Sequence, residues 1–226
     1  KKVEVLDGGA AWHEQLRINT EGGASTQTAS ANTQSQLSAA PSANLTTLDF
    51  YISAPSFFQV NTAQAEVLIE LVIDALGGPR ALKAAPYIAD LYCGAGTFTI
   101  SLATLGADVV GVELAGSSTR DLARNLDANK VDAEVICDDV ARVIGELDGI
   151  EAAVVDPPRA GLDKQIIKEL AAHKNTLKTI VYVSCDPQTL ARDTARLKNA
   201  GFNLVKLTPV DMFPQTFHVE CVAVFQ

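Results

Sequence analysis

Residues 87–113, YIADLYCGAGTFTISLATLGADVVGVE, decide the architecture. YIADLY (87–92) is apolar apart from Asp90 and reads as a buried strand. The run CGAG (93–96) then forces a tight turn, and residues from about 98 to 105 read as a helix. DVVGVE (108–113) is a second strand. Strand, glycine turn, helix and strand make one βαβ unit, and only a crossover helix lets two neighbouring strands run parallel.

The same alternation continues downstream. A helix is expected over 117–129, a strand at AEVIC (133–137) and a short helix over 140–147. EAAVVD (151–156) is a strand, followed by a helix over 164–172. KTIVYVSC (178–185) is a strand, followed by a helix over 188–199. FNLVKLTPV (202–210) and HVECVAVF (218–225) are two strands with no helix between them, which predicts an antiparallel hairpin at one edge. Upstream, LDFYI (48–52) is a strand, and 62–76 shows apolar residues at helical spacing with Gly77-Gly78-Pro79 as its stop. The fold class is therefore α/β, with a doubly wound, Rossmann-like parallel sheet ending in an antiparallel hairpin. That is the usual shape of the class I S-adenosylmethionine (SAM) methyltransferase core.

The N-terminal part has another texture. VEVL (3–6) and QLRI (15–18) read as short strands around Asp7-Gly8-Gly9. Residues 20–47 are rich in Ser, Thr, Ala, Asn and Gln, and their only charge is Glu21. Such a stretch offers little apolar surface against the entropy of ordering, so a flexible or loosely held connection is expected. Two regions follow: 1–47 as a partial, low-complexity remnant of a larger N-terminal unit, and 48–226 as the catalytic domain. The chain begins with Lys1 and not Met, as a processed or shortened protein would.

Composition narrows the function. The chain has 226 residues, 47% of them hydrophobic, with mean hydropathy +0.13, which marks a packed globule and not a disordered chain. Its apolar runs fall far short of the roughly 20 residues of a membrane span, and no secretory leader pattern is visible. A cytoplasmic, monomeric protein is expected. The formal net charge of −9 argues against a surface that binds nucleic acid all over through phosphates. The four cysteines, Cys93, Cys137, Cys185 and Cys221, are too far apart in sequence for a CxxC knuckle, so no metal site is expected and free thiols are the simplest state.

Ligands of doubly wound sheets sit at the carboxyl ends of the strands. Gly94 and Gly96 close the first strand and let the backbone approach a ligand, or they only make a tight turn. A dinucleotide fingerprint would need a third glycine where Thr99 stands, which disfavours NAD. Glu113 ends the second strand, about 20 residues past the turn, and could accept two ribose hydroxyls or stand exposed. Asp138-Asp139 could meet an adenine amine or cap the next helix. Asp156-Pro157-Pro158-Arg159-Ala160-Gly161 is a loop stiffened by two prolines, suited to holding a flat base, or simply a connection. Cys185 opens the fifth strand into the same edge, before a helix whose N-terminus should favour thiolate. The other three cysteines read as inert packing.

SFFQVNTAQ (56–64), DLYCGAGTFTISLA (90–103), GVE (111–113), VVDPPRAG (154–161), YVSCDPQTLARD (182–193) and DMFPQTFHVE (211–220) together resemble the RNA uracil-C5 methyltransferase family, from about residue 48 to the C-terminus. The resemblance implies SAM as cofactor and a uridine in tRNA or rRNA as substrate. It implies Cys185 as nucleophile and Glu220 as general base. Gln59, Tyr92, Gly94, Gly96, Thr97, Glu113, Asp139 and Asp156 fall at cofactor- or base-contacting positions, although the family often has Asn where Thr97 stands. Phe58, Arg159 and His218 would meet the RNA, with Phe57 and Phe58 either stacking on it or packing in the core. His218 should share a strand face with Glu220. Arg192 could bind phosphate or pair with Asp193 or Asp186. Many relatives carry an RNA-gripping barrel that is not visible here, so this chain alone should bind SAM but hold RNA weakly. The competing readings are a methyltransferase for another base or small molecule, and a non-catalytic SAM- or RNA-binding module.

Overall fold

The computed structural model describes residues 3–6, 9–21 and 45–226. Most of the expected low-complexity connection, 22–44, lies outside the described residues. The described chain forms ten strands and seven α-helices. Strands β4 (Tyr87–Leu91), β5 (Asp108–Val112), β6 (Glu134–Ile136), β7 (Ala152–Val155), β8 (Thr179–Ser184), β9 (Leu204–Val210) and β10 (Glu220–Phe225) make one sheet in the order β6-β5-β4-β7-β8-β10-β9. The first five pair in parallel, whereas β10 is antiparallel to both β8 and β9. This is the expected doubly wound, Rossmann-like sheet with its C-terminal antiparallel hairpin. The chain moves from β4 outward to β6, then returns to β7 on the other side of β4. The crevice above β4 and β7 is thus the switch point where such folds bind ligands.

The inner strands β4, β5, β7, β8 and β10 are short and apolar because both faces are covered. β7 and β10 are buried along their whole length. On one face lie α1 (Thr62–Ala75), α3 (Thr97–Thr104) and α4 (Gly116–Asn129), and on the other α5 (Val140–Val143), α6 (Lys164–Ala172) and α7 (Pro187–Asn199). The expected helix over 140–147 divides into α5 and a 3-10 turn over Ile144–Glu146. The expected stop after α1 also begins something. Gly77 caps it in the left-handed region at φ 93°, and Pro79 sits in the first turn of a short α2 (Gly78–Leu82).

A second sheet joins β1 (Val3–Leu6), β2 (Gly9–Asn19) and β3 (Leu45–Ser53) in antiparallel order. β2 is longer than the QLRI strand read from sequence and pairs with β3 from Ala11↔Ser53 to Asn19↔Leu45. β3 therefore straddles the boundary expected at 47/48. Leu16, Ile18, Leu48, Phe50 and Ile52 are buried in the same core as Leu68, Ile69 and Val72 of α1.

The free edge of β3 is satisfied by side chains of α4. Asp121, Asn125 and Asn129 lie four residues apart on one helix face. They accept from the amides of Ser53 (2.9 Å), Tyr51 (2.7 Å) and Asp49 (2.8 Å). Asn125 also donates to the carbonyl of Ala95 in the glycine turn at 3.1 Å. Asn125→Ala would leave a buried donor and acceptor unpaired, a cost of about 1–3 kcal/mol. The expected result is a lower urea midpoint with an unchanged slope, and a midpoint equal to that of the parent chain would refute the ladder's contribution.

Candidate active site

A cavity of about 670 Å³ opens above the carboxyl ends of β4 and β7. Of the residues expected there, Gln59, Tyr92, Gly94, Thr97, Glu113, Asp139, Asp156, Arg159, Cys185, Glu220 and Phe58 line it. They follow the ends of different strands and turns, which is why scattered motifs converge.

The glycine turn is held by its own geometry. Tyr92 adopts φ 66°, an uncommon conformation for a residue with a side chain, and Gly94 and Gly96 also have positive φ. A Cβ on Gly96 would overlap Leu122, so this glycine serves close packing of α3 on α4 and does not itself line the cavity. Beside Gly94 the space is open. Glu113 is fixed at both oxygens, accepting from the amides of Gly94 (3.1 Å) and Ala115 (2.7 Å). Each of its oxygens retains a lone pair for a ligand hydroxyl. Asp139 caps α5 through the amide of Ala141 at 2.9 Å and lines the cavity as well, so capping does not withdraw it from the site. Gln59 is 9% exposed, and its Oε1 has no hydrogen-bond partner. An orphaned buried acceptor at a cavity wall awaits a donor from a ligand.

Beneath the turn lies Asp90, absent from the expected site set. It is fully buried, accepts from Thr99 Oγ1 at 2.6 Å, and leaves Oδ1 unpaired. Burial pushes its carboxyl up to about 6, against the opposing Thr99 hydrogen bond. One acid inside the otherwise apolar strand YIADL was the signal available in the sequence. Thr99, standing where a third fingerprint glycine would be, is thus the partner of this acid.

Sheet register brings Cys185 and Glu220 to the same edge. Cys221 pairs with Ser184 at the end of β8, so Glu220 and Cys185 lie one residue beyond the last β8–β10 pair, and both line the cavity. Burial raises the Glu220 carboxyl, and the Arg159 guanidinium opposes that rise. The Cys185 thiol is also raised, by burial first, then by Glu220, with Arg159 acting the other way and Asp156 adding to the rise. Asp156 itself is pushed up to about 8, by burial and then by Glu220 and Asp90.

Four expectations need correction. The α7 N-terminus does not favour thiolate at Cys185, because Asp186 caps it by accepting from the Thr189 amide at 2.8 Å and takes the dipole's benefit. Phe58 is buried at 5% exposure against Phe50, ring centroids 5.3 Å apart, so it closes the cavity from behind, while its neighbour Phe57 is 70% exposed. His218 does not share a strand face with Glu220, because β10 begins at Glu220. The loop before it, with Gln215 at φ 66°, carries His218 beside Phe217 and places its Nδ1 3.4 Å from Arg159. Cys137 is exposed and not packed inside. All four cysteines are free thiols, and Arg192 pairs with Asp193 at 2.9 Å. Among the described residues no group of three His, Cys, Asp or Glu side chains could hold a metal, and no helix is long and apolar enough to cross a membrane.

Comparison with known proteins agrees with this geometry. An uncharacterized RNA methyltransferase of Caldanaerobacter subterraneus subsp. tengcongensis is 40% identical over 184 residues, covering 79% of this chain and 39% of that protein. Another from Lactococcus lactis subsp. lactis is 41% identical over 184 residues, covering 78% of this chain and 38% of that protein. The crystal structure of Pyrococcus abyssi tRNA (uracil-54, C5)-methyltransferase with S-adenosyl-L-homocysteine superposes with TM-score 0.70 at 37% identity, covering 79% of this chain and 42% of that one. A Thermus thermophilus 16S rRNA N2 G1207 methyltransferase (TM-score 0.57, 20% identity, 79% of this chain and 47% of that one) shares the fold. The chain spans less than half the length of these relatives. The sequence model described as tRNA (Uracil-5-)-methyltransferase matches residues 13–226, and the chain belongs to that family.

Proposed function

We propose that this chain is the catalytic part of an RNA methyltransferase that places a methyl group on carbon 5 of a uridine in tRNA or rRNA. The observation that carries the reading is the convergence of Cys185, just past β8, and Glu220, at the start of β10, on one cavity walled by acids at the sheet's switch point.

SAM is the cofactor that fits. The unpaired Gln59 Oε1 can accept from its ammonium or amine groups, the free lone pairs of Glu113 from its ribose hydroxyls, and the carboxylates of Asp139 and Asp156 suit its positive charge. When bound, SAM supplies an electrophilic methyl group on a sulfonium. The Cys185 sulfur adds to carbon 6 of uracil, breaking the 5,6 double bond and leaving carbon 5 nucleophilic. Carbon 5 takes the methyl group. Glu220 then removes the carbon-5 proton, the double bond re-forms, and the sulfur is expelled. The raised carboxyl of Glu220 makes it a stronger base for the carbon-5 proton, whereas the raised thiol of Cys185 opposes thiolate. The thiol proton is lost to solvent before addition, and the carbon-5 proton goes to Glu220. The exposed Phe57 ring at the cavity mouth offers a face on which an extruded base can stack.

The test is to incubate the full-length protein with SAM and RNA carrying 5-fluorouridine. Fluorine at carbon 5 cannot leave as a proton does, so a covalent RNA–protein adduct is expected to map to the peptide containing Cys185. Methylated product without any adduct would overturn the mechanism.

A further inference from the structure

The loop after β7 and the helix after β8 are joined by a set of side-chain contacts that the proposed chemistry does not use. Asp193, on the inner face of α7, is fully buried. Its Oδ2 accepts from the Leu162 amide at 2.8 Å and from the Tyr182 hydroxyl at 3.1 Å. Its charge is met by Arg192 Nε and Arg196 Nη1, each at 3.0 Å. Arg192 then reaches on to the carbonyl of Ala160 at 2.7 Å, and Thr189 Oγ1 donates to the carbonyl of Arg159 at 3.0 Å. Between them Gly161, at φ +75°, has no room for a side chain, because a Cβ there would overlap Thr189, Asp193 and Arg192. The carbonyls of Arg159 and Ala160 and the amide of Leu162 are thereby tied to one helix, whose first turn follows Cys185 closely.

We propose that Thr189, Arg192 and Asp193 form a clamp that positions Arg159 toward the Cys185–Glu220 pair. The consequence for catalysis rests on the reading of Cys185 as the nucleophile, but the clamp itself does not. Arg159 is exposed, and an unanchored arginine there would spend its time in solvent. Its backbone is instead pinned from α7, which begins two residues after Cys185, its side chain reaches His218 Nδ1 at 3.4 Å, and both Arg159 and Cys185 line the cavity. The charged groups that act on Cys185 are Glu220 on β10, and Arg159 and Asp156 on the loop; of these only Arg159 favours thiolate. Loosening the clamp should therefore make Cys185 harder to ionise without altering any charge.

Thr189→Val removes the hydroxyl while keeping the shape. Arg192→Lys keeps the charge but loses the guanidinium fork that spans Asp193 and Ala160. Both variants are read by the pH dependence of Cys185 alkylation with iodoacetamide, followed on its own peptide because Cys137 is exposed too. Thermal melting of each variant is recorded alongside. The expected result is folded protein whose Cys185 alkylation is slowed about threefold at a fixed pH below the midpoint, equal to an upward shift of about half a unit. A clamp with only a structural role would change melting and leave the midpoint in place. Arg159→Ala is the control. If it moves the midpoint and neither clamp variant does, the positioning role is overturned. If Arg159→Ala has no effect either, the clamp has nothing to position and is equally overturned, while the 5-fluorouridine adduct still tests the proposed function separately.

Discussion

Cys185→Ala in the full-length protein is expected to lower methyl transfer by about four orders of magnitude or more, with SAM affinity changed by no more than about twofold. Carbon 5 of uracil is a poor nucleophile, and in the proposed mechanism the sulfur at carbon 6 activates it. No other group in the cavity can replace that sulfur. Cys93 lines the cavity as well, but it is buried in the glycine turn with its thiol raised well above the ordinary value, chiefly by burial. Cys221 is buried on the opposite face of β10 from Glu220, and Cys137 follows β6 outside the cavity lining. The groups proposed to contact the cofactor come from other strand ends, so the substitution should separate binding from chemistry. Labelled SAM with RNA from a strain lacking the enzyme gives the rate, and calorimetry gives the affinity. Substantial turnover by the alanine variant would point to a methyltransferase that needs no covalent step, the reading that competes most directly with this one.

Much of the sheet was legible because its code is local. Apolar runs of strand length, each followed by a turn and a helix, announce β4 to β8, and a final pair without a helix announces a hairpin. What escaped is non-local. Nothing near HVECVAVF says that β10 inserts between β8 and β9, yet that insertion is what brings Glu220 to the end of β8 that Cys185 follows. The register of β2 on β3 was invisible for a similar reason, since residues far apart in sequence pair there, and the edge is closed by Asp121, Asn125 and Asn129 on α4. In the site, motifs named the positions and not their surroundings. Thiolate at Cys185 followed from a helix N-terminus, but Asp186 already occupies that N-terminus. Phe58 and Phe57 are adjacent aromatic residues, and only packing on Phe50 decides which one faces inward. For Arg192 the sequence left phosphate binding and pairing with Asp193 or Asp186 open, and only the burial of Asp193, which no sequence pattern reports, decides for that pairing.

Asp156→Asn is expected to stabilise the ligand-free protein at alkaline pH and to abolish the gain in melting temperature that SAM provides. Asp156 carries a carboxyl raised from its ordinary 3.8 to about 8 by burial and by the neighbouring Glu220 and Asp90. The native state therefore holds this proton more tightly than the unfolded chain does. Below about pH 4 both states are protonated and the full stability is present. From there up to about pH 8 the unfolded chain releases the proton while the folded one keeps it, so stability falls by up to about 1.4 kcal/mol per pH unit for this group. Asp90, raised to about 6, adds a smaller loss over the lower part of the same range. Asn cannot ionise, so the variant should melt several degrees higher than the parent at pH 8 and no differently near pH 4, after allowance for solvent reaching this cavity wall. A cationic ligand reverses the balance, because a positive charge beside Asp156 makes the carboxylate favourable and the amide inert. Melting curves between pH 4 and 9, with and without SAM, separate the two effects. A variant less stable than the parent at pH 8 would show that Asp156 is held by contacts its charge supports and is not a carboxylate kept under strain for a ligand.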